Sequence, residues 1–179
     1  MTSGMVLEKI KSPGLAHLSY LIGHQGRGAV IDPRRDCRVY VEMAHTRGLR
    51  IDTIFETHRN EDYLVGSTDL ARMTGAEIYH GRQLDFKYGN PAAEGDTFEL
   101  GDLRLKVLET PGHTFESISI AVIDTQFGDS AVTVFTGDAL FVGDVGRTDF
   151  FPDQAREVAG LLYDSIFDKL LPLGDQAIL

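Results

Sequence analysis

Three short strings fix where chemistry can sit in this chain, and each follows an apolar run. Ile51-Asp52-Thr53-Ile54-Phe55 leads into Thr57-His58-Arg59-Asn60-Glu61-Asp62-Tyr63. Leu103 to Leu108 leads into Thr110-Pro111-Gly112-His113-Thr114, and Ala131 to Phe135 leads into Thr136-Gly137-Asp138. Short apolar runs closed by turn residues read as strands. A fold that uses all three strings must bring several strand ends to one edge, where loops aim side chains outward from a rigid scaffold. Two imidazoles and one carboxylate on one face, with other positions free, suit a mononuclear non-haem Fe(II) site.

Composition narrows the class. A chain of 179 residues with 42% hydrophobic and 25% charged residues reads as one ordinary globular domain with a real core. The net charge of −10 argues against nucleic acid, whose backbone needs a basic footprint. No apolar run approaches the roughly eighteen residues that suggest a membrane span. The opening Met1-Thr2-Ser3-Gly4-Met5 lacks the basic and apolar regions of a secretory signal. One cysteine, Cys37, excludes an intramolecular disulfide and fits a reducing, cytoplasmic setting.

Along the chain, Val6–Ile10 and His17–Ile22 read as strands. Gly23-His24-Gln25-Gly26-Arg27-Gly28 joins the second to Ala29-Val30-Ile31. That glycine-rich string lacks the Gly-Lys-Ser/Thr ending and the helix of a phosphate loop, so it reads as a hairpin turn. Residues 36–47 carry Cys37, Tyr40, Val41 and Ala44 at helical spacing, closed by Gly48. Ser67–Met73 reads as a second helix and Glu77–Tyr79 as a strand, and 81–95 reads as loop. Thr97–Leu100 pairs with Leu103–Leu108, and Ser117–Ile123 pairs with Ala131–Phe135. A last amphipathic helix spans about 154–171, with Asp153 as its N-cap.

The three strings together resemble the ligand motifs of the metallo-β-lactamase fold. Thr57-His58-x-Asn60-x-Asp62-Tyr63 is similar to its T-H-x-H-x-D-H signature, and the Pro-Gly-His and Thr-Gly-Asp strings follow in the family's order. The continuation Gly137-Asp138-Ala139-Leu140-Phe141, then Gly146-Arg147-Thr148-Asp149-Phe150, resembles the persulfide dioxygenase branch, including members fused to rhodanese domains. The resemblance implies an α/β fold, the four-layer αβ/βα sandwich. It implies one Fe(II) per chain held by His58, His113 and Asp138, with zinc as the metal that purification can load instead. Family members continue beyond Gln176-Ala177-Ile178-Leu179 into a further strand and helix. The chain therefore reads as a single domain over 1–179, cut short in an apolar strand, with any rhodanese domain outside it.

Departures from the family pattern carry as much as the matches. Asn60 and Tyr63 stand where binuclear zinc hydrolases have histidines. A carboxamide is a poor ligand, and a phenol must lose a proton near pH 10 to bind well. Each of two metals would lose one ligand, whereas the iron set is complete. The implied reaction converts a thiol persulfide, O2 and water to sulfite and the thiol. The substrate is then a low-molecular-weight persulfide of glutathione or coenzyme A type. A homodimer and a rhodanese partner are implied by the relatives alone. Arg147 is expected to meet the substrate or product anion through its fork of donors. Asn60 and Tyr63 are expected to line the pocket. Asp62 is expected to orient a ligand imidazole or water, or to serve as a helix N-terminal carboxylate. Asp32 reads as a carboxylate ordering a loop beside the site. The other histidines (His17, His24, His45 and His80) read as structural or surface groups, and Cys37 as lying on a helix face away from the motifs. Three other readings stay open: a glyoxalase-II-like thioester hydrolase, a non-catalytic module that binds a thiol carrier or docks a sulfurtransferase, and a reductase of the flavodi-iron type.

Overall fold

The computed structural model describes residues 4–60 and 63–179. Its first sheet contains β1 (Val6–Lys11), β2 (Leu18–His24), β3 (Arg27–Ile31), β4 (Arg50–Glu56), β5 (Glu77–Gly81) and β6 (Asn90–Ala92), side by side in chain order. The first three strands are antiparallel; β3 through β6 run parallel. Parallel neighbours need a crossover, and helices α1 (Arg38–Thr46) and α2 (Ser67–Thr74) supply it for β3–β4 and β4–β5. The second sheet is antiparallel in the order β10 (Ala131–Phe135), β9 (Ile118–Asp124), β8 (Leu103–Glu109), β7 (Thr97–Leu100). A small hairpin, β11 (Leu140–Phe141) with β12 (Asp144–Val145), follows, and α3 (Ala155–Asp164) leads into the final helical turns.

The layering follows from alternation. In β2 and β3, Ile22, Ala29 and Ile31 turn to the second sheet, where they meet Leu105, Val107, Ile120, Val122 and Phe135. Their neighbours Leu21 and Val30 turn the other way, onto Tyr40, Ala44 and Leu70 of α1 and α2. Strand β4 is buried on both faces from Thr53 to Glu56, as befits a parallel strand covered on both sides. On the far side of the second sheet, Leu108, Ala121 and Val134 pack on Leu162, Ile166 and Leu170. Helices therefore cover both outer faces of two packed sheets, which is the four-layer αβ/βα sandwich.

Local differences have local causes. The glycine-rich string is a two-residue hairpin turn at Gln25-Gly26, both with positive φ (49° and 79°), as right-twisted strands favour. Strand β6 lies inside the stretch read as loop; Asn90-Pro91-Ala92 carries no strand pattern, and Pro91 is tolerated because β6 is an edge. Asp153 is not an N-cap: it lies in the 3-10 turn Pro152–Gln154, and Gln154 precedes α3 without a side-chain cap. The last helix is not uniform either. After Asp164 it widens to a π-helical segment at Ser165–Leu170, where the Ser165 hydroxyl donates to the Pro111 carbonyl at 2.8 Å. Cys37 sits before the first turn of α1, buried, with its Sγ 3.1 Å from the Gly66 carbonyl. Burial pushes that thiol's pKa up. Among the described residues no helix is long and apolar enough to cross a membrane.

Candidate metal centre

Three strand ends converge at one edge of the sandwich. His58 lies two residues past β4, His113 four past β8, and Asp138 three past β10. The ends of the two sheets are tied together there. The Ile118 amide donates to the Thr57 carbonyl at 2.8 Å, and the Arg59 amide donates to Glu116 Oε1 at 2.9 Å. The tie fixes the distance between loops that come from different sheets.

His58, His113 and Asp138 each direct one ligand atom inward, and these atoms lie within 4.8 Å of one another. Asp138 Oδ2 is 3.8 Å from His58 Nε2 and 3.6 Å from His113 Nε2. Such gaps exceed a hydrogen bond and suit donors sharing one ion, whose bonds to N and O are about 2.0–2.2 Å for zinc. The two rings meet edge to face, centroids 4.9 Å apart. Both imidazoles are buried. Burial lowers the pKa of His58 below the ordinary imidazole value of 6.5, so the ring is neutral at pH 7, as a ligand must be.

Each imidazole is oriented through its other nitrogen, by a different device. The Thr57 hydroxyl donates to Asp32 Oδ2 at 2.7 Å and so accepts from His58 Nδ1 at 2.9 Å. Asp32 Oδ1 also takes the Thr57 amide at 2.7 Å. His113 Nδ1 donates to the Arg147 carbonyl at 3.0 Å. In both rings Nε2 is left as the lone-pair nitrogen facing Asp138. Ligands held through their second nitrogen in this way are what a metal site requires, so the residues present fit a bound divalent ion.

Asp32 is buried, and burial pushes its carboxyl up to about 7 against the two Thr57 bonds. It adopts φ +50°, an uncommon conformation for a residue with a side chain. His17 supports it from behind: Nε2 donates to the Asp32 carbonyl at 3.0 Å, and Nδ1 accepts from Ser12 at 2.7 Å. The other face of His17 carries the Tyr63 ring at 3.9 Å. Burial, reinforced by Asp32 and Asp138, holds the Tyr63 phenol far above its ordinary range. It stays protonated and is a donor rather than an anionic ligand.

The sequence expectations therefore meet the structure unevenly. His58, His113 and Asp138 are brought together, and Asp32 stands beside them as expected. Tyr63 stands against His17, and Asn60 is partly buried two residues after His58. Asp62 lies outside the described residues. Arg147 is exposed, with its guanidinium on Asp149 at 2.5 and 2.8 Å and over the Phe150 ring at 4.8 Å. Sequence reasoning passed over Thr57 as a link, His17 as a support, and Phe150, whose ring centroid lies 5.1 Å from that of His113. Only a threonine directly before the first histidine signalled any of these contacts, which otherwise depend on loops meeting across the fold.

Comparisons with known proteins agree with this fold. The Metallo-beta-lactamase superfamily model matches residues 12–176. The chain is similar to a hydroxyacylglutathione hydrolase of Acidiphilium cryptum, 32% identical over 133 residues, covering 72% of this chain and 51% of that protein. It is similar to the mitochondrial persulfide dioxygenase ETHE1 of Bos taurus, 29% identical over 177 residues, covering 94% of this chain and 64% of that one. Among solved structures, ETHE1 from Myxococcus xanthus superposes with a TM-score of 0.82 at 29% identity, covering 96% of this chain and 72% of that one. The chain spans about half the length of three of the hydroxyacylglutathione hydrolases it matches, those of Acidiphilium cryptum, Methylobacillus flagellatus and Hahella chejuensis.

Proposed function

The chain belongs to the metallo-beta-lactamase superfamily, and on that footing we propose that it is a mononuclear iron persulfide dioxygenase. The net reaction is R–S–SH + O2 + H2O → R–SH + H2SO3, with both oxygen atoms of O2 entering the product. One observation carries the reading. Among the described residues the only cluster that could hold a metal ion is His58, His113 and Asp138, while Asn60 and Tyr63 stand where the resembling family signature has two hydrolase histidines.

His58, His113 and Asp138 hold Fe(II), which when bound supplies the electrons and template that the spin-forbidden reaction of a sulfur anion with O2 lacks. The remaining work falls to the chain's own groups. The Thr57–Asp32 pair and the Arg147 carbonyl hold both rings with Nε2 inward. Tyr63, protonated because it is buried beside carboxylates, donates a hydrogen bond, and the Asn60 carboxamide offers both a donor and an acceptor. Arg147, exposed beside the candidate centre, meets the anionic end of the substrate or the sulfite product through its guanidinium. The substrate is a low-molecular-weight thiol persulfide of glutathione or coenzyme A type. The protein acts in the cytoplasm as a homodimer, with a rhodanese domain or protein handling the same sulfur.

The thioester hydrolase reading keeps one specific support, the similarity to hydroxyacylglutathione hydrolases. Metal content of anaerobically purified protein, followed by O2 uptake with glutathione persulfide, separates the two. About one iron per chain, with uptake and sulfite release abolished in His113→Ala, is the expected result. Two zincs per chain, or one zinc with thioester cleavage and no O2 uptake, would move the protein to the hydrolases.

A further inference from the structure

The segment after Asp138 turns back onto the second imidazole. In the β11–β12 hairpin Leu140 stands opposite Val145, and the Gly146 amide donates to the Ala139 carbonyl at 3.3 Å. A Cβ on Gly146 would lie 1.8 Å from the Asp138 carbonyl oxygen and 3.3 Å from His113 Cβ. The return path thus needs a residue without a side chain. It delivers the Arg147 carbonyl to His113 Nδ1 and, three residues on, the Phe150 ring to the side of the imidazole. Centroids are 5.1 Å apart and the planes cross at 76°. The Arg147 guanidinium covers the Phe150 ring and is itself gripped by Asp149 at two points.

We propose that Phe150 and Asp149 are positioning residues for His113. One hydrogen bond through Nδ1 fixes a single point of the ring, and the torsion about its last rotatable bond is intrinsically broad. An edge-to-face aromatic contact supplies the second constraint. Phe150 is only half-buried, so its own position depends on the guanidinium above it. The guanidinium depends in turn on Asp149. An exposed ion pair of this kind contributes little to global stability, so its effect is local, on the orientation of one ligand. The inference rests on His113 being a metal ligand and is independent of which reaction the metal serves.

The test uses Co(II) as the probe, titrated anaerobically into metal-free protein against a competing chelator, with the visible absorption of the bound ion recorded. The metal-free unfolding midpoint is measured alongside. Phe150→Leu is expected to weaken Co(II) retention about tenfold and alter its absorption, while the metal-free midpoint stays unchanged. Phe150→Tyr, which keeps the ring, restores both readouts, and Asp149→Asn moves retention in the same direction by about threefold. Parent-like retention and absorption in Phe150→Leu would overturn the proposal. So would a fall in metal-free stability that accounts for the whole loss. Failure of the parent protein to bind Co(II) would instead remove the metal-centre reading beneath it.

Discussion

Replacing Thr57 by valine keeps nearly the same shape and deletes one hydroxyl, which sits between a buried carboxylate and a buried imidazole. Asp32 Oδ2 loses a 2.7 Å bond and His58 Nδ1 loses its 2.9 Å acceptor. Gly137 packs closely on this hydroxyl, since a Cβ there would lie 2.3 Å from Thr57 Oγ1. An orphaned buried polar group costs about 1–3 kcal/mol. With the Thr57 amide still bound to Asp32, the expected loss for metal-free Thr57→Val is roughly 2–4 kcal/mol. Metal affinity should fall a further ten- to a hundredfold, because His58 loses the group that fixes its tautomer. Thr57→Ser is the control, since it keeps the hydroxyl and gives up one methyl, worth about 0.8 kcal/mol. Urea unfolding of metal-free protein and chelator competition for zinc measure the two effects separately. If Thr57→Val stays within about 0.5 kcal/mol of the parent and binds zinc equally well, the orienting role of the Asp32–Thr57–His58 chain is refuted.

Further expectations concern charge, space and ligand count. Burial raises the Asp32 carboxyl from 3.8 to about 7, so its neutral form is favoured in the folded state. That contribution to stability is complete below the unfolded value and is lost as pH rises through about 7, by up to ~1.4 kcal/mol per pH unit within the window. Metal-free Asp32→Asn should lack this slope in denaturant titrations between pH 4 and 7, and an unchanged slope would reject the assignment. Gly112 has φ +143°, and a Cβ there would lie 2.3 Å from Leu162 Cβ and 2.4 Å from its Cα. Gly112→Ala should therefore cost about 3 kcal/mol or more in thermal or chemical unfolding, since backbone and helix must separate. The double variant Asn60→His/Tyr63→His returns two imidazoles to the first motif. Its zinc content per chain should rise toward two, measured by elemental analysis, whereas the parent should hold one.

How much was legible in the sequence varies by element. The β4 and β8–β10 strands, both central helices and the three candidate ligands were readable because each rests on a local signal: a period of apolar residues, a turn dipeptide, or a motif at a strand end. Strand β6 was not readable, because Asn90-Pro91-Ala92 pairs only where β5 offers its free edge. The widening of the last helix was equally hidden, since it coincides with the Ser165–Pro111 bond from a loop 54 residues earlier. At the site, the identities of His58, His113 and Asp138 are written in the chain and set which atoms can ligate. Their working state is not. The neutral His58, the inward Nε2 atoms and the raised Asp32 carboxyl come from burial and from partners that folding brings in from other loops. Sequence determines which donors exist, because that is covalent chemistry. Tertiary structure decides their direction and protonation, because both depend on desolvation and on hydrogen bonds between segments far apart along the chain.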